Sequence, residues 1–109
     1  MGKRFGLDAG EIRSLAPGHG SCIASDRITV DGKPVGYMYR EKPNDTLDSG
    51  WRFFAGDESE EYTGRPANFE LYDVNTIANY EPAIVVLLNA PVGSAYMRDG
   101  SGRFAPANQ

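Results

Sequence analysis

The chain has 109 residues, of which 40% are hydrophobic, enough to bury the core of one domain and too few for two. Its formal net charge of -4 and pI near 4.9 argue against a general nucleic-acid binder, which needs a basic surface to displace counterions from phosphate, and turn attention to basic partners. A single cysteine, Cys22, excludes an internal disulfide and fits a reducing, cytoplasmic setting.

Residues 1–20 mix glycine, proline and both signs of charge and read as a flexible N-terminal arm, with a brief helical possibility from Glu11 to Leu15. Its start is basic but lacks the apolar stretch of a signal peptide. Gly6 stands where a myristoylation start needs Ser or Thr. The longest apolar run, Ala83 to Leu88, is too short to span a bilayer, so no membrane role is expected. Pro17-Gly18-His19-Gly20 holds the only histidine. A metal site needs several converging ligands, and a phosphate loop needs a downstream Lys and Ser/Thr; neither accompanies His19, so no metal or cofactor is expected.

From Ser21 the pattern changes to short strands: Cys22 to Ser25, Arg27 to Val30 and Val35 to Arg40. Asp31-Gly32 is a hairpin signal, because the turn needs positive φ, and it predicts that Ile28 to Val30 pairs antiparallel with Val35 to Tyr39. A loop from Glu41 to Ser49 then leads into the segment that holds the only tryptophan. Trp51 to Ala55, bounded by Gly50 and Gly56, reads as a strand with Trp51, Phe53 and Ala55 on one face and Arg52 and Phe54 on the other. It runs into the acidic stretch Asp57-Glu58-Ser59-Glu60-Glu61-Tyr62.

Two catalytic readings compete with this pattern. Cys22, His19 and Asp26 can be written as a triad, but a nucleophile also needs an oxyanion donor and a cleft, and a free cysteine more often packs as a small hydrophobe. Paired carboxylates within Asp57 to Glu61 can be cast as an acid and a base, yet such a run is usually a solvated face. No catalytic residue is assigned.

Beyond Gly64-Arg65-Pro66 lies Phe69 to Tyr72, then two helical signals. Asp73 fits an N-cap for Val74 to Asn79, whose Val74, Ile77 and Ala78 share one face. Pro82 fits the first turn of a second helix, although Ile84-Val85-Val86-Leu87-Leu88 also suits a strand. Tyr96 to Arg98 and Arg103 to Ala105 flank a turn and predict a C-terminal hairpin. The expected fold is α+β: one domain over 21–109, an antiparallel sheet of about four to five strands, and two short helices packed on one face. The expected core comprises Ile28, Val30, Tyr37, Trp51, Phe53, Ile77, Ile84, Leu87 and Leu88.

Four blocks carry a resemblance: Ser25 to Gly32, Val35 to Glu41, Asp48 to Glu58 and Tyr72 to Tyr80. They are collinear, and over roughly Ser21 to Phe104 the chain resembles a family of small bacterial domains of formerly unknown function. That family is assigned to the immunity proteins of polymorphic toxin systems, as their thirty-third type. The resemblance implies a non-catalytic protein that binds and neutralises a cognate toxin, and it brings no catalytic residues. The residues themselves nominate a recognition surface: Arg52 and Phe54 on the outer side of the Trp51 strand, with Asp57, Glu58, Glu60, Glu61 and Tyr62. Carboxylates in this number suit a basic, nuclease-like toxin. The alternative is a regulatory module whose aromatic strand lines a pocket for a small ligand or peptide.

Overall fold

Period-two burial in the tryptophan segment divides this molecule into two faces. In the computed structural model, which describes residues 3–107, that segment is a seven-residue strand, Asp48–Phe54, with Trp51 and Phe53 buried together on one side. The outer ends of the expected arm and domain, Met1, Gly2, Asn108 and Gln109, lie outside the described residues. In chain order the strands are β1 (Ser21–Ser25), β2 (Tyr37–Arg40), β3 (Asp48–Phe54), β4 (Phe69–Asp73), β5 (Ala95–Arg98) and β6 (Phe104–Pro106). They form one sheet in the order β4-β1-β3-β2-β5-β6.

The class is α+β as expected, but the sheet has six strands and is mixed. β1 and β3 run parallel, with Ile23 opposite Arg52 and Ala24 opposite Phe53. The other pairings are antiparallel. The expected Ile28–Tyr39 hairpin is absent because residues Asp26–Thr29 form a short helix, α1. Ser25 caps it, its Oγ accepting the Arg27 N–H at 3.1 Å. Gly32, at φ 77, then ends it, with Gly32 N–H donating to Ile28 O and Lys33 N–H to Arg27 O. A positive-φ glycine closes a helix as readily as it turns a hairpin.

Helix α2 (Glu60–Thr63) also replaces part of the expected loop, and α3 (Val74–Tyr80) forms where Asp73 predicted it. The Asp73 carboxylate accepts the Asn75 N–H at 2.8 Å. The second helical signal yields a 3-10 helix, Pro82–Leu87, in place of an α-helix. Pro82 starts it, and the β-branched pair Val85-Val86 disfavours a longer α-helix. Its burial is one-sided: Ile84 is buried and Val86 is 87% exposed.

α1, α3 and the 3-10 helix cover the Trp51 face. There Cys22, Ala24, Met38, Trp51 and Phe53 pack with Ile28, Val74, Ile77, Ile84 and Leu88. The Trp51 indole N–H donates to Leu88 O at 3.1 Å. Three expected core positions differ. Val30 and Leu87 are only partly buried, and Tyr37 points to the opposite face while Met38 takes the inward place. Of the residues expected to form the arm, 13–16 are strapped along α3. The Asn75 side-chain oxygen accepts from Leu15 and Ala16 N–H, the Asn79 oxygen accepts from Arg13 N–H, and Ala16 enters the core. The C-terminal hairpin forms as expected, with Arg98 opposite Phe104. Among the described residues no helix is long and apolar enough to cross a membrane.

Phe53→Ala should lower stability by about 3–5 kcal/mol, since its whole ring fills the covered face. Val86→Ala should change it by less than about 0.5 kcal/mol. Urea titrations of the two variants measure the contrast.

Candidate functional site: an aromatic sheet face with an acidic border

Because alternate residues of a strand point to opposite faces, the side chains not used in the core gather on the other surface of the sheet. Tyr37 and Tyr39 from β2 and Phe54 from β3 form a ring cluster, with centroids 5.7 to 5.9 Å apart. Phe54 meets Phe69 of β4 edge-on at 5.7 Å, and Phe69 meets Tyr62 of α2 at 5.9 Å. Register extends the surface outward. Leu71 stands opposite Ile23 and is 73% exposed; Met97 stands opposite Tyr37 and is 51% exposed. Among the described residues, α2 is the one helix that covers any of this face, at the Phe69 corner.

Arg52 lies in the middle, and it is not the exposed contact that its position on the outer side implied: it is 3% exposed. Its guanidinium donates to both oxygens of Asp48, at 2.9 and 2.8 Å, and through Nε to Glu41 at 2.6 Å. Asp48 also accepts the backbone N–H groups of Asn44 and Gly50. The Arg52 hydrogen bonds hold the Asp48 carboxyl far below the usual carboxylate range, and Asp48 in turn raises Arg52 above its ordinary value. Gly50 is required here. Its φ is 89°, and a Cβ would lie 2.1 Å from Glu41 O, so only glycine lets the Glu41 strand end approach the pair. Burial, and then the Glu41 charge, raise the Tyr39 phenol, which therefore stays neutral.

The acidic stretch divides by task. Asp57 binds Lys33 through a short ion pair and lies 3.4 Å from Arg27 Nε. Arg27 in turn lies 4.6 Å over the Tyr62 ring. Glu58 folds back to accept the Ala55 and Gly56 N–H groups at 2.8 and 2.9 Å. Glu60 and Glu61 begin α2 behind the Ser59 cap and face solvent, Glu61 pairing loosely with Arg65 at 3.2 Å. Phe54, Asp57 and Glu58 share one open groove of about 630 Å³ with Pro34, Tyr37 and Met97. The structure thus brings Phe54, Asp57, Glu58 and Tyr62 to one border of the aromatic face and leaves Arg52 buried at its centre.

The sequence profile of the immunity protein Imm33 domain matches residues 22–108. The chain belongs to this family. No curated protein matches it in sequence, and no solved structure matches it. Within this Imm33 domain the Cys22 thiol is fully buried, and burial pushes its pKa far up, which favours the protonated thiol over the thiolate. Among the described residues no cluster of His, Cys, Asp or Glu is arranged to hold a metal ion.

Residues of the face that sequence reasoning missed are Tyr39, Phe69, Leu71, Met97, Glu41 and Asp48. A period-two reading of Phe69 and Leu71 marks a strand with one apolar outer row, and Ser59 before Glu60-Glu61 is an N-cap signal with acids in the first turn. No local signal joins Met97 to Tyr37, which lie far apart in sequence and meet only through strand register.

Asp48→Asn leaves a buried guanidinium short of charge and should cost about 3 kcal/mol near neutral pH. Because the folded-state value of Asp48 is depressed, its contribution is complete above about pH 4 and is lost as pH falls below that. The parent should therefore lose stability on acidification more steeply than D48N, measured by denaturation midpoints from pH 7 to 2.

Proposed function

We propose that this Imm33 domain is a cytoplasmic immunity protein that binds a cognate bacterial toxin and neutralises it by covering its working surface, without catalysis of its own. Membership of the immunity family over residues 22–108 carries the reading. An inhibitor of this kind needs a rigid, complementary surface. Rigidity is supplied by a sheet whose far side is filled by Trp51, Phe53 and Met38. The contact surface in this proposal is the border formed by Phe54, Asp57, Glu58, Glu60, Glu61 and Tyr62, with Arg52 supporting it from below. A basic, nuclease-like toxin suits it, since carboxylates occupy positions on such a partner that phosphates would otherwise take. Charge of this kind chiefly speeds encounter and selects the partner.

The groove lined by Tyr37, Phe54 and Met97 favours a second reading, a module that takes a small apolar ligand or a peptide. The two differ in what they protect. Expression of the chain together with its cognate toxin should keep cells alive, and the variant carrying both His19→Ala and Cys22→Ala should protect equally. Death of the cells despite soluble, folded chain would sink the immunity reading.

Glu60→Gln with Glu61→Gln removes the two carboxylates that face solvent and leaves Asp57 and Glu58 in place. Association with the toxin should slow about three- to tenfold at low salt, and the difference should shrink as screening shortens toward about 8 Å at physiological ionic strength. Thermal stability should stay unchanged. Stopped-flow association across a salt series reads both.

A further inference from the structure

The acidic border adjoins a row of rings that runs across the open side of the sheet. We infer that the docking platform is the aromatic sheet face itself, from Leu71 across Phe69, Phe54 and Tyr37 to Met97, and that its occupant is a polypeptide surface with an apolar centre ringed by Lys or Arg. This rests on the immunity reading and specifies how the partner is held.

Three observations select that occupant. The first is that, among the described residues, α2 alone among the helices covers the face, and only at its Phe69 corner. The N-terminal segment is tied to the opposite side, through Leu7 N–H to the Tyr80 hydroxyl and through Asn75 and Asn79 to residues 13–16. The helices lie there too, apart from α2 at the Phe69 corner. Leu71 and Met97 are consequently large apolar side chains left in water at both ends of a continuous row of rings. Exposed apolar side chains at the ends of a half-buried aromatic row, rimmed by charge, mark an interaction site.

The second is the charge balance around it. The cations of this side, Arg27, Lys33, Arg52 and Arg65, each already hold a carboxylate of the same chain. Six carboxylates, Glu41, Asp48, Asp57, Glu58, Glu60 and Glu61, stand against these four cations, so this side keeps an excess of two negative charges. Lys42 and Asp45, in the loop beyond Glu41, add one charge of each sign and leave that excess unchanged. A partner with a basic ring completes the balance.

The third argues against a second copy of the chain. Each copy carries a net charge of -4, and face-to-face pairing would set one acidic border against another. The rings are also suited to cationic side chains. Tyr62 already carries Arg27 over its face, and Tyr37, Phe54 and Met97 line an open groove into which a lysine or arginine stem, or an apolar anchor, fits.

The test uses the full chain and the purified catalytic domain of its cognate toxin, disabled in its own activity. Leu71→Ser with Met97→Ser removes apolar anchors without adding charge, and both positions are exposed, so thermal unfolding should match the parent. Binding should weaken about tenfold or more, mostly through faster dissociation. Val86→Ser, equally exposed but on the helix-covered side, should bind as the parent does. If the double variant binds and protects like the parent, this inference falls and the immunity reading stands. Sedimentation showing a parent dimer that the double variant splits would assign the face to a second copy and overturn the basic-partner assignment. A parent that neither binds the toxin domain nor protects cells takes down the immunity reading and this inference together.

Discussion

A guanidinium buried in the open face of a sheet is the constraint around which one half of this molecule is arranged. Arg52 is almost wholly out of water, and an unpaired charge in that position is strongly destabilising. Two carboxylates must therefore reach it, and the loop before β3 is shaped to deliver them. Asp45 accepts the Leu47 and Asp48 N–H groups, Asp48 accepts those of Asn44 and Gly50, and Gly50 adopts a left-handed conformation that brings Glu41 close. Once paired, Arg52 no longer offers charge to a visitor. The centre of the face is electrostatically spent, and its rings define its character.

Some of this was legible in the chain and some was not. The alternation of Trp51, Arg52, Phe53 and Phe54 announces a strand with two apolar faces, and Asp73 announces α3, because each depends on neighbours in sequence. The Asp31-Gly32 pair misleads, since the same positive φ serves a hairpin and a helix end, and Ser25 had already supplied a cap for the helix. Tyr37-Met38-Tyr39 leaves the phase of β2 open, as either row is apolar enough to be buried; Phe53 and Phe54 opposite decide it. The parallel pairing of β1 with β3 has no local signature at all, because it is set by which strands are free to meet once β2 has paired on the other edge of β3.

The acidic stretch shows the same limit at the level of a site. Read as a sequence, its carboxylates look equivalent and mutually repulsive. In space two of them have structural partners: Lys33 and Arg27 neutralise Asp57, and Glu58 occupies two backbone N–H groups that would otherwise be left at the end of β3. Repulsion is relieved where it would be greatest, and the charge that faces solvent is displaced onto the first turn of α2, where the helix N-terminus tolerates it. In the proposed complex, steering by charge and holding by apolar contact then belong to different residues, which is how electrostatic and hydrophobic contributions ordinarily divide at interfaces.

β2 and β3 send alternate side chains to opposite sides, and this separates two inheritances within one stretch of chain. Met38, Trp51 and Phe53 answer to the helices beneath them, and Tyr37, Tyr39 and Phe54 answer to one another and to water. Single-codon changes in the second set can accumulate without disturbing the first, provided that Arg52 and its carboxylates remain. The chemistry of the open face can thereby be rewritten at every other residue of two strands, while the positions between them hold the architecture constant.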